Sequence, residues 1–253
     1  MKNFSLLLLI GSVFFLTGCE TTREITFTDN NSGTVVTTTD MSAMIGMAKM
    51  TGQSKEMDKL SEEKIDTTIS LSNIADSLEG ISPDDKALVK KGKLYMQMNL
   101  PDEKFLVKVE LPFSDPEQIG RLDALSKKMM QVTFKKLMAQ NQSGDSSLMG
   151  GNDIPDGSVD DYFDVTYAKG LIEKKLNKEK YAKAENDESL KAMKEMSGSG
   201  IGNSTLIINL PRPVKKAEGK NVKLSDDKKK VIISTSMEDF FDDASSLEFR
   251  IEY

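Results

Sequence analysis

Residues 93–111 read KLYMQMNL, then PDE, then KFLVKVEL. In the first run Leu94, Met96, Met98 and Leu100 occupy alternate positions, and in the second Phe105, Val107, Val109 and Leu111 do the same. A period of two is what a strand shows when one face is dry and the other wet. The two runs therefore form a hairpin around Pro101-Asp102-Glu103, within an antiparallel sheet covered on one face. Everything else in the chain is read against that sheet.

Upstream, residues 64–71 alternate through Ile65, Thr67, Ile69 and Leu71, which predicts another half-buried strand. Ser82-Pro83-Asp84-Asp85 offers a capping serine, proline at the first helical position and acids in the first turn. A short helix follows to Lys91, before Gly92. Nearer the start, β-prone runs at 23–29 and 34–39 flank Asn30-Asn31-Ser32-Gly33, a strong hairpin signal. Asp40 can cap a helix to about residue 51, with Met41, Met44, Ile45 and Ala48 on one stripe and Gly52 as its stop. Met47 and Met50 lie off that stripe.

Downstream, Asp115-Pro116-Glu117-Gln118 resembles a capping box with proline at the first position, opening a helix to about residue 140. Its apolar set of Ile119, Leu122, Leu125, Met129, Met130, Val132, Phe134, Leu137 and Met138 covers more of the circumference than packing on a sheet requires. The excess is covered by a second helix or lines a groove. Residues 141–158, rich in Gly, Ser, Asn and Asp, read as a flexible loop. Runs at 162–168 and 171–176 pair around Lys169-Gly170, a charged helical stretch spans 178–196, and strands are expected at 204–210, 221–224, 230–236 and 246–253. The order suits an α+β fold, an antiparallel β-sheet with helices packed on one face, formed as a single domain over 23–253.

Composition narrows the chemistry. The chain has no histidine and no tryptophan, with one cysteine and 15 methionines among 253 residues. Histidine-based acid–base catalysis and the histidine-containing triads and zinc sites are excluded. No constellation of carboxylate, Lys, Tyr or Ser replaces them, so no enzyme is expected. With 34 basic against 40 acidic residues the net charge is −6, and Lys215-Lys216 and Lys228-Lys229-Lys230 read as solvated turns. No nucleic-acid face is expected.

Asp145, Asp153, Asp156, Asp160 and Asp161 gather around the glycine-rich loop, but their spacing misses the calcium-loop pattern. A solvated acidic loop is the plainer reading, as it is for Glu238, Asp239, Asp242 and Asp243 around Phe240-Phe241, and neither metal nor cofactor is expected. Gly198-Ser199-Gly200-Ile201-Gly202 follows a helix and precedes a strand, the reverse of phosphate-loop order. The soft methionine side chains suit an adaptable apolar surface. A hydrophobic groove from Met44, Met47, Met129, Met130, Phe134, Leu137 and Met138 is the candidate binding site, and the same residues also fit a methionine-rich core.

At the start of the chain Lys2, the apolar run 4–16 and Leu16-Thr17-Gly18-Cys19 stand in the order of a bacterial lipoprotein signal, whose lipobox they resemble. That run is about a dozen residues, against the roughly 20 of a membrane-spanning helix. The resemblance implies cleavage after Gly18, removal of residues 1–18, diacylglycerol on the Cys19 sulfur and acylation of its amine, with 19–22 as a lipidated tether. An ordinary secretory signal with an incidental cysteine is the alternative. Cleavage removes one lysine and no acid, so a charge of −6 becomes −7.

Thr205-Leu206-Ile207-Ile208-Asn209-Leu210-Pro211, with Val214, Gly219, Leu224-Ser225-Asp226-Asp227-Lys228 and Val231, resembles the closing strands of LppM-type lipoprotein domains. Residues 25–34 are similar to their first hairpin. The resemblance implies an antiparallel sheet with packed helices and binding of lipid or glycolipid, and it carries over no lipid-contacting residue. Together these features lead to the expectation of an envelope protein anchored in the membrane through Cys19, most simply in the outer membrane facing the periplasm. Its partners would be a lipid, another hydrophobic ligand or, alternatively, an envelope protein that it helps to assemble.

Overall fold

A computed structural model describes residues 20–43, 64–76, 78, 80–99, 101–140, 159–184, 190–191, 194 and 203–253, with backbone alone at 73 and 130–140. The fold is α+β. The hairpin of residues 93–111 forms as β4 (Lys93–Asn99) and β5 (Lys104–Phe113), paired in one register from Lys93 opposite Glu110 to Asn99 opposite Lys104. The Asn99 side-chain amide donates to Asp102 across the turn at 2.5 Å. The first hairpin is β1 (Glu20–Phe27) and β2 (Gly33–Asp40). Its turn closes through Thr28 N–H donating to the Ser32 carbonyl at 2.8 Å. Gly33 is required there, because a Cβ would lie 1.8 Å from the Thr26 carbonyl oxygen.

These strands join β3 (Lys64–Ser70), β8 (Asn203–Asn209), β10 (Val222–Leu224) and β11 (Lys230–Thr235) in an eight-stranded sheet of order β10-β11-β8-β1-β2-β5-β4-β3. Only β1 and β8 run parallel; every other neighbour pair is antiparallel. The inner face is set by register. Val231, Ile208, Ile25, Val35 and Leu111 follow one another across five strands, and all five are buried. One place along β1, the same face carries Arg23, between Leu206 and Thr37.

A second, wholly antiparallel sheet is built from β6 (Phe163–Ala168), β7 (Leu171–Leu176), β12 (Phe249–Glu252) and β9 (Lys216–Glu218), in that order. Five helices among the described residues accompany the sheets: α1 (Ser72–Ala75), α2 (Pro83–Val89), α3 (Ile119–Gln140), α4 (Lys178–Tyr181) and α5 (Met237–Asp243). None is long and apolar enough to cross a membrane. Ser82 caps α2 by accepting from Asp85 N–H. Asp115 accepts from Glu117 N–H and Gln118 reaches back to Ser114 N–H, so the capping exchange before α3 is offset by one residue. Ile119, Leu122, Leu125 and Met129 of α3 enter the same core as Ile25, Val35 and Leu111, and so do Tyr167, Ile172, Ile251 and Tyr253 of the second sheet.

The structure corrects several expectations. The inner face is shared between α3 and a second sheet, where the sequence suggested one sheet under helices. The sheet is mixed, because β1 pairs in parallel with β8 from the far end of the chain. The charged stretch 178–196 is not one continuous helix: α4 ends at Tyr181, with turns at 182–183. Glu238 to Asp243 lie in α5, not in a loop, and the helix is capped at its start by a reciprocal exchange between Ser236 and Asp239. Lys216 belongs to β9, and the last strand begins at Phe249 after a 3-10 turn over Ala244–Leu247. Residues 41–43 follow β2 as expected; the rest of the helix to residue 51 and the loop 141–158 lie outside the described residues.

Candidate functional site

Cys19 lies just outside the described residues, and β1 starts at the next residue, Glu20. Of the seven groove positions, Met44 and Met47 are outside the description, as are the side chains of Met130, Phe134, Leu137 and Met138. Met129 is 1% exposed and packs in the main core. The structure adds an apolar strip on the inner face of β3, β4 and β5. Ile65, Met98 and Phe105 form one cross-strand row, and Thr67, Met96 and Val107 the next. Met96 and Met98 are 7% and 6% exposed, opposite Val107 of the main core and Phe105 packed against it. The strip lies at the end of the sheet where Glu20, Asp40 and Leu106 are cross-strand neighbours. Met41 N–H donates to the Phe105 carbonyl at 2.8 Å and Phe105 N–H to Ser42 Oγ at 3.1 Å, which ties the chain after β2 to the same end.

Between the layers sits a half-buried polar network that sequence reasoning missed. Arg23 Nη2 lies 2.5 Å from Asp123 Oδ1 on α3, and Nη1 donates to Tyr167 Oη on β6 at 2.8 Å. One side chain thus ties the large sheet, the long helix and the second sheet. Burial raises the Asp123 carboxyl to about 6, against the pull of Arg23 and with the help of Asp160. Burial also pushes the Tyr167 hydroxyl up to about 12. Desolvation works to lower the Arg23 pKa, but Tyr167 and Asp123 outweigh it and hold the guanidinium charged. Nearby, Lys174 pairs with Asp160 at 2.6 Å over the ring of Phe163, and overcomes the desolvation of that carboxylate. Asp160 and Asp161, grouped by sequence with an acidic loop, are thereby tied to Lys174 and Lys127. No three ligating side chains among the described residues converge on a metal position.

The alternation of β1 alone could have flagged Arg23, since it shares a parity with Ile25 and Phe27. What the sequence could not supply is the partner residues, which arrive from 100 or more positions away.

At the opposite end of the sheets is a cavity of about 290 Å³ lined by Asp29, Asn31, Lys169, Arg212, Lys215 and Tyr253, among others. Three chain reversals build it. They are the β1–β2 turn, with Asn31 at a φ of 63°, the two-residue β6–β7 turn at Lys169-Gly170, and the loop after β8. Gly170 has a φ of 77°, and its carbonyl accepts from Tyr253 N–H at 3.1 Å. Lys215 Nζ in turn donates to the Tyr253 carbonyl at 3.1 Å. Compared with known proteins, the chain matches no family model, no curated protein and no solved structure.

Proposed function

We propose that this chain is a lipid-anchored, non-catalytic binding module of the bacterial cell envelope, held by Cys19 in the outer membrane facing the periplasm, with a lipid or other hydrophobic molecule as its ligand. The observation that carries the proposal is the place of the apolar strip. Ile65, Met96, Met98, Phe105 and Val107 lie on the inner face at the end of the sheet where the chain enters at Glu20. An acylated Cys19 would hold that end against the bilayer, since two or more acyl chains anchor a protein stably where one does so only marginally. Methionine adapts to ligands of irregular shape better than branched residues do. A strip of this kind next to the anchor suits an acyl chain drawn from the membrane.

The test is mass spectrometry of the full lipidated chain extracted from envelope membranes in mild detergent, without delipidation. A denaturing spectrum gives the covalent acyl mass on Cys19. The native spectrum is then expected to show a further, non-covalent mass in the lipid range. Repeated native spectra with the covalent acylation alone would move the weight to the alternative, a structural or assembly partner of another envelope protein, for which in-cell crosslinking is the direct measurement.

A further inference from the structure

We infer that the cavity at the far end of the sheets binds a phosphate-bearing group. Its wall brings together the side chains of Lys169, Arg212 and Lys215, with Asp29 as the one acidic side chain among the lining residues. Three cationic side chains against one acidic side chain favour an anion, and a phosphate has an oxygen for each of the three. The cations are available. Other basic residues of the chain are taken up by acids: Lys174 by Asp160, Lys180 by Asp164, Lys216 by Glu218 and Arg250 by Glu173. Lys169 and Arg212 have no such partner among the described residues, and Lys215 gives one hydrogen to the Tyr253 carbonyl, with two left to donate.

A concentration of unpaired positive charge stands out in a chain whose net charge is −6. Each unpaired cation in a concave wall draws anions, since low-dielectric walls focus the field into the opening. Arginine supplies a planar fork that matches two phosphate oxygens, and lysine adds point charge. The volume of about 290 Å³ is at the small end of ligand cavities, which run from about 300 Å³ upward. It leaves room for the group that carries the phosphate as well as the phosphate itself. The backbone around it is fixed by the Tyr253–Gly170 bond and by Lys215 N–H donating to the Glu252 carbonyl at 2.7 Å, so the cations are presented by closed turns.

The inference is independent of the apolar strip, which lies at the other end of β1, roughly 23 Å away at strand spacing. Either can fail alone. The source of the phosphate is a free phosphorylated solute or a phospholipid headgroup, and the experiment separates them. Isothermal titration of the full chain in a neutral detergent uses inorganic phosphate in one arm and soluble dihexanoyl-phosphatidic acid in the other. Variants Arg212→Glu and Lys169→Glu reverse charge on exposed side chains, and Lys104→Glu makes the same change at the opposite end of the sheet. Binding of inorganic phosphate that weakens at least about tenfold in the first two variants and is unchanged in the third supports the site with free phosphate as sufficient ligand. Binding of the phosphatidic acid alone, with the same variant pattern, supports it with a lipid headgroup as source. Absence of binding in both arms, or equal loss in all three variants, overturns the inference.

Discussion

Asp123 shows how burial and charge compete at a single residue. Arg23 on β1 and Lys127 on α3 favour its ionised form, Asp160 disfavours it, and burial outweighs them to hold the carboxyl at about 6. The neutral Tyr167 hydroxyl on β6 and the charged Lys174 on β7 complete the surroundings. The folded chain therefore keeps a proton that the unfolded chain, near 3.8, has released. That stability is fully present below about pH 4 and is lost as pH rises through about 6, a change of about 3 kcal/mol. Asp85, held low by Ser82 and Arg121, and Glu173, held low by Arg250, act in the other direction. Their contribution is present above the ordinary carboxylate range and is lost as pH falls through their lowered values. Stability should peak near pH 4, where the two trends meet. Urea denaturation midpoints measured from pH 4 to 7 are expected to decline in the native chain and to stay nearly level in Asp123→Asn. A parallel decline in both would place the titrating group elsewhere.

The elements divide by how local their causes are. The hairpins, α2 and α3 follow from period-two runs, turn residues and caps within a few positions, and all are legible in the sequence. The second sheet was legible only in its β6–β7 pair and its last strand: β9 is three residues long, too short for periodicity to register, and pairs with β12 across 32 to 36 positions. The parallel joining of β1 to β8 has no local signature at all. Phe240 illustrates a related miss, since the acids around it hide one apolar face. It is 1% exposed, with the rings of Tyr162, Tyr181 and Phe241 within 5.7 Å of its own, and it centres a second core that also holds Phe163 and Leu247. Phe240→Ala should cost about 3–5 kcal/mol in chemical unfolding. A loss below about 1 kcal/mol would mean that α5 contributes little to the fold. The candidate sites were legible in the same uneven way. Met96 and Met98 could be placed on a buried face from spacing alone, whereas the cavity cations at 169, 212 and 215 meet only through three turns brought together by the sheets.

For the whole molecule, the proposed anchor makes a direct prediction. Cys19→Ser should move the chain from the membrane fraction to the soluble fraction of cell extracts, because the apolar run before it is too short to span the bilayer on its own. Retention of the variant in the membrane would assign attachment to another part of the chain. The position of β1 adds a mechanical consequence. With the proposed anchor at Cys19, tension between bilayer and protein would run along the axis of a strand that lies in the middle of an eight-stranded sheet, with eight registered pairs to β2 and seven to β8. Such a load is borne in shear by two full ladders of hydrogen bonds at once; an edge strand under the same pull would peel one bond at a time. Under the proposed anchorage, a strand that joins the sheet at its centre would make the protein a stiff mount, transmitting force and orientation from the membrane to the cavity at its far end.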